Sequence, residues 1–200
     1  MRISVISLIM IIALLGSISG WTFESLRTQE DIQKAGALVE QNSFQEAITL
    51  YFRVLENSNT VLDTKMKSRL YNNIGFCFFK LEDYEQAIHY YQKALSEEPF
   101  YTICLNNLAA INMNMKKYPQ ALTFLKLAYE LDKSNIKVVF NLFVVHYYLK
   151  NKNEAARYLK EAFQLNEEYT EERLRKKKIN QADILKLKSY LSRDTSTIKK

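Results

Sequence analysis

A chain of 200 residues with only 4 Gly and 2 Pro has room for one ordinary domain plus an extension, and too few turn formers for a β-sandwich or a glycine-looped doubly wound fold. Leu, Ala, Lys, Glu, Tyr and Asn dominate, and the composition reads as nearly all helical. The net charge of +6 is unevenly placed: residues 168–200 hold ten Lys or Arg against five Asp or Glu, so the body is close to neutral and the tail is basic.

The first twenty residues, MRISVISLIMIIALLGSISG, differ in character from the rest of the chain. Arg2 gives a short positive start, residues 3–15 are apolar apart from Ser4 and Ser7, and residues 16–20 are small apart from Ile18, the pattern of an export signal. The alternative is an uncleaved anchor over residues 3–21, just long enough to cross a hydrocarbon core with Trp21 at the interface. Either reading puts the rest of the chain outside the cytoplasm, exported across or anchored in the cytoplasmic membrane, in the periplasm or envelope.

Residues 28–167 repeat. At a shift of 34, Asn73 falls on Asn107 and Asn141, Ala87 on Ala121 and Ala155, and Ala94 on Ala128 and Ala162. The copies span about 28–61, 68–101, 102–135 and 136–169. In the first, Ala35, Leu38, Phe44, Ala47, Tyr51 and Val54 take the expected apolar sites, and about six extra residues before the second lengthen a loop or the next helix. Within a copy, SRLYNNIGFCFFKL and YEQAIHYYQKALSEE each carry apolar residues at 3–4 spacing, which predicts two amphipathic helices, and EDY between them is long enough only for an antiparallel turn. Gly75, Ala87 and Ala94 permit close helix approach, and Pro99 closes the unit. One pair cannot bury its own apolar face, so the copies must stack. The expected fold is an all-α, right-handed α-solenoid of about four helix-turn-helix repeats. Phe143 at the small-residue site of the last copy predicts a looser contact there.

The tail keeps Leu174, Ile184, Leu187 and Leu191 at helical spacing under a basic outer face, which predicts a single capping helix over 170–192, with 193–200 disordered. A basic arm for nucleic acid or anionic lipid is the competing reading.

The 34-residue unit resembles the tetratricopeptide repeat, whose pattern W-x2-L-G-x2-Y…A-x3-F…P is met by Tyr71, Ile74, Gly75, Phe78, Ala87, Tyr91 and Pro99. The resemblance implies a concave surface lined by the first helix of each pair. The inward-facing sites would be Arg69, Asn73, Phe76 and Lys80, then Ile103, Asn107 and Asn114, then Lys137, Asn141 and Tyr148. Asparagines one repeat apart can donate to and accept from the backbone of an extended peptide; the alternative is that they bond within the array. The family's chaperone-binding carboxylate clamp is incomplete, because Asn72, Phe76 and Asn141 stand where lysine, asparagine and arginine are needed.

Chemistry-bearing constellations are not evident. His89 and His146 lie in different copies without ligands at metal spacing, and Cys77 and Cys104 sit in apolar surroundings as two buried free thiols. No catalytic residue, metal or cofactor is expected. The expected function is a non-enzymatic interaction scaffold or adaptor in the cell envelope, holding a protein or peptide partner in the groove. An auxiliary subunit that positions a cell-wall or secretion enzyme is the other reading.

Overall fold

The computed structural model describes residues 26–57 and 62–197, with side chains through residue 189. The export or anchor segment, residues 1–21, lies outside the described residues, as do residues 198–200. Among the described residues no helix is long and apolar enough to cross a membrane. Ten helices and no strand are present there: α1 over 26–40, α2 Phe44–Glu56, α3 Thr64–Lys80, α4 Tyr84–Glu97, α5 Thr102–Asn114, α6 Tyr118–Leu131, α7 Ile136–Tyr148, α8 Lys152–Leu165, α9 Glu167–Lys176 and α10 Gln181–Thr197. They form antiparallel pairs, the all-α fold expected from the repeat. The chain divides into two compact units at Glu98/Pro99.

The helix ends are set by local chemistry. The Asp63, Asp83 and Asn166 side chains accept from the amides of Met66, Gln86 and Tyr169 and so cap α3, α4 and α9. Every turn inside a pair ends its first helix in the same way. A residue in the left-handed region, Asn42, Glu82, Lys116, Lys150 or Lys178, with φ between 52° and 62°, reverses the chain. The next amide then reaches back to a carbonyl five residues earlier, as in Asp83 N–H to Phe78 and Lys117 N–H to Asn112. None of these five residues is glycine, so each turn holds a side chain in a conformation that costs it energy.

In the first unit Ala35 of α1, Ala47, Ile48, Tyr51 and Val54 of α2, and Leu70, Ile74 and Cys77 of α3 form one buried cluster. Ala87, Tyr91 and Ala94 are fully buried on α4. A Cβ built on Gly75 would lie 2.8 Å from Tyr91 Cδ1 and 3.2 Å from the Ala87 carbonyl oxygen, so glycine is what allows α3 and α4 this approach. The extra residues before α3 add one turn to its start, at Thr64 rather than at the position where α5 and α7 begin, and lengthen the linker.

In the second unit the repeat positions Leu105, Leu108, Ala109, Ala121, Leu125 and Ala128, then Val139, Leu142, Ala155, Leu159 and Ala162, are all at most 2% exposed. Phe143 at the small-residue site is fully buried, its ring edge-on to Phe140 at 5.6 Å.

Two expectations for the tail are corrected. The single capping helix is two helices, α9 and α10, broken by the same left-handed turn at Lys178 that joins the repeat pairs. Ile179, directly after that turn, is buried, and this apolar anchor fixes the break. The segment expected to be disordered from 193 instead continues α10 to Thr197. The pair caps the last repeat. Leu174, Ile184 and Leu187 are buried, and the Thr170 hydroxyl donates to the Ala162 carbonyl at the end of α8. Tyr169 meets the Phe140 ring edge-on at 6.2 Å, and the Tyr147 hydroxyl donates to Asp183 at 2.6 Å.

Candidate partner-binding surface

Arg69, Asn73, Phe76 and Lys80 share a face of α3 in the first unit. Arg69 and Lys80 are exposed and Phe76 is half-buried, with the Lys80 ammonium 5.6 Å from its ring centroid. Asn73 is half-buried and turned inward: its amide donates to the Tyr51 hydroxyl at 3.4 Å. Burial, then the neighbouring Cys77, raises the Tyr51 phenol above its ordinary pKa, while the Asn73 contact works the other way.

In the second unit the sites lie on neighbouring helices, α5 and α7, joined where the Asn141 amide donates to the Asn106 side-chain oxygen at 2.8 Å. Asn141 is buried, so it does not face a ligand as expected; its hydrogen bond fixes α7 against α5. Another part of α7 is turned to the cap, Phe140 meeting Tyr169 and Tyr147 meeting Asp183. Val144 is 1% exposed. What stays open is Ile103, 52% exposed, with half-buried Asn107 and exposed Asn114 on α5, and exposed Lys137 and Tyr148 on α7. Tyr148 stacks on Tyr118 of α6, centroids 4.9 Å apart and rings 9° from parallel, which holds an apolar plate at the end of the strip. Burial, and then Tyr148 itself, raises the Tyr118 phenol.

The structure therefore divides the asparagine ladder. Asn73 bonds to Tyr51 and Asn141 to Asn106, while Asn107 is half-buried beside the exposed Ile103. The Tyr118–Tyr148 stack was not among the expected sites. Its signal was present, since Tyr118 aligns with Tyr84 at the repeat period, but nothing local says which aromatic of such a column meets Tyr148.

Cys77 and Cys104 are both buried and outside any disulfide, and burial pushes each thiol up to about 12. They stay protonated at neutral pH. His89 is exposed, edge-on to Tyr90, whereas His146 is buried and stacked on Tyr158. Among the described residues no cluster of three His, Cys, Asp or Glu side chains is placed to hold a metal ion.

The family model of the tetratricopeptide repeat matches residues 68–101, the stretch that holds Gly75, Ala87 and Pro99. Residues 68–101 are thus a tetratricopeptide repeat, within a chain that has the fold of tetratricopeptide-repeat proteins. Solved structures of the same fold include MamA residues 41 to end from Desulfovibrio magneticus RS-1, with a TM-score of 0.61, 14% identity, and coverage of 84% of this chain and 93% of that one. Pseudomonas aeruginosa PilF gives a TM-score of 0.61 at 20% identity over 70% of this chain and 61% of that one. The first tetratricopeptide-repeat domain of Spaghetti (RPAP3), solved with the HSP90 peptide SRMEEVD, gives 0.53 at 20% identity, covering 66% and 99%. Among curated proteins, the uncharacterized protein ycf37 of Cyanophora paradoxa is 30% identical over 90 residues, 44% of this chain and 51% of the relative. Its namesake in Guillardia theta is 30% identical over 82 residues, 41% and 46%. The chain spans about half the length of the curated relatives it matches. A tetratricopeptide-repeat fold is an interaction scaffold for proteins and peptides.

Proposed function

We propose that this tetratricopeptide-repeat protein is a non-enzymatic adaptor that holds an extended partner segment along α5 and α7, with its N-terminal apolar segment keeping it at the membrane on the envelope side. The observation that carries the reading is the open strip of Ile103, Asn107 and Asn114 beside Lys137 and Tyr148. A half-exposed isoleucine at one end of the strip and a stacked tyrosine pair at the other offer apolar contacts for side chains, and Asn107 and Lys137 offer hydrogen bonds and charge near Ile103. The related domain solved with the peptide SRMEEVD supports a peptide as the kind of partner. In the first unit, Arg69, Phe76 and Lys80 offer a comparable exposed face on α3.

The test places a photocrosslinking amino acid at Asn114, on the strip, or at Leu127, exposed on α6. The Asn114 protein should give a discrete adduct in cells that the Leu127 protein does not. Equal labelling from both positions would refute the strip. Fractionation checks the location: the chain should sediment with membranes, and its release on removal of residues 1–21 would support the segment as the attachment.

A further inference from the structure

The cap forms one side of a half-open cavity that no repeat pair forms by itself. It has a volume of about 280 Å³ and lies in the second unit between the end of α7, the first turn of α8, and α10. Its charged walls are Lys150, Lys152, Asp183 and Lys186, three cations to one anion. The one carboxylate is already engaged, because Asp183 accepts the Tyr147 hydroxyl at 2.6 Å. The Lys150 ammonium lies 5.5 Å from the centroid of the Tyr147 ring, which itself forms a wall, so this charge is turned to the cavity. Neither Lys150 nor Lys186 is in an ion pair among the described residues. The floor is apolar, with Leu187 and Ala155 both buried.

We propose that this cavity binds a phosphate ester on a short carbon skeleton, either a free phosphorylated metabolite or the headgroup of an anionic phospholipid. Lys150 and Lys186, neither in an ion pair among the described residues, bring two ammonium donors to one space, which suits the oxygens of a phosphate ester, mono- or diester. The volume exceeds what one phosphate group fills, and the Ala155–Leu187 floor suits the attached carbons. The site belongs to the cap. The α10 side chains that supply Asp183, Lys186 and Leu187 have no counterpart in the other repeats, and the inference does not rest on the peptide strip.

The test compares the full chain with Lys150→Gln/Lys186→Gln and with a control of equal charge, Lys65→Gln/Lys160→Gln, whose lysines are exposed and do not line the cavity. Calorimetric titration uses inorganic phosphate and glycerol 3-phosphate at fixed ionic strength. Co-sedimentation uses vesicles of phosphatidylcholine alone and of phosphatidylcholine with phosphatidylglycerol, the difference between the two removing any contribution of the N-terminal segment. Saturable binding of glycerol 3-phosphate, weakened about tenfold or more in the cavity variant and unchanged in the control, assigns a soluble ligand. The same pattern seen only with phosphatidylglycerol vesicles assigns a headgroup. The melting temperature should be unchanged in both variants. No saturable binding to any probe, or equal loss in the two variants, overturns the proposal.

Discussion

Gly75 shows how one missing side chain sets a helix contact. A methyl group there would press on the Tyr91 ring at 2.8 and 2.9 Å, and Tyr91 is fully buried and has no room to swing away. Gly75→Ala gains about 1 kcal/mol of helix propensity but overpacks a close contact at about 1–3 kcal/mol, and a net loss of about 1 kcal/mol is expected, readable as a lowered urea midpoint. His146 makes a different prediction. Burial holds its pKa below the ordinary 6.5, with Lys126 and Arg157 acting in the same direction and Glu154 opposing. The unfolded chain thus takes up the proton at a higher pH than the folded one, so this contribution to stability is intact above about 6.5 and is lost progressively as the pH falls from there through the lowered pKa of the folded state. His146→Phe should keep the stacking on Tyr158 and flatten this acid-side decline. A melting curve series from neutral pH downward, run on both proteins, checks it.

At the scale of the helix, equal positions in successive copies do different work, and this limits what the sequence can say. The 34-residue spacing of Asn73, Asn107 and Asn141 is plain in the sequence, and so is the pairing of helices that it implies. Which of the three faces a partner is not, because it depends on side chains remote in sequence: Tyr51 for Asn73, Asn106 for Asn141. The turns were legible only in part. The brevity of EDY gave the reversal, but left-handed Glu82, Lys116, Lys150 and Lys178 carry no glycine to announce them. That is also why the α9–α10 break was read as one continuous helix. The split ladder predicts a double dissociation. Asn141→Ala removes a buried hydrogen bond that joins α7 to α5 and should lower stability by about 1 kcal/mol. Ile103→Asp, at a site 52% exposed, should leave the melting temperature within about a degree of wild type while the Asn114 crosslink to partner is lost. If Ile103→Asp keeps the crosslink, the strip does not bind.

Across the molecule, stacked pairs leave an apolar face at each end of the array, and such a face needs a terminal element with a polar outer side. In the second unit α9 and α10 fill that role. They cover Phe140 and Ala162, both fully buried, while presenting Arg175, Lys176 and Lys178 to solvent. The basic charge that the sequence concentrates in the tail is thus in large part the solvated side of a cap, which weakens the case for a free nucleic-acid arm. A chain ending at residue 166 would lose the Thr170 hydrogen bond to Ala162, the Tyr169 contact with Phe140 and the Tyr147–Asp183 bond together. Burying a large apolar side chain is worth about 1.5–3 kcal/mol, and Leu174, Ile179, Ile184 and Leu187 all leave with the cap. The second unit should therefore lose several kcal/mol, expressed as a lower melting temperature and as self-association through the bared faces of α7 and α8. Light scattering and thermal denaturation on the truncated and full chains measure both effects. A truncated chain that remains monomeric and melts with the full one would show that α9 and α10 are an appendage to the fold and not its end cap.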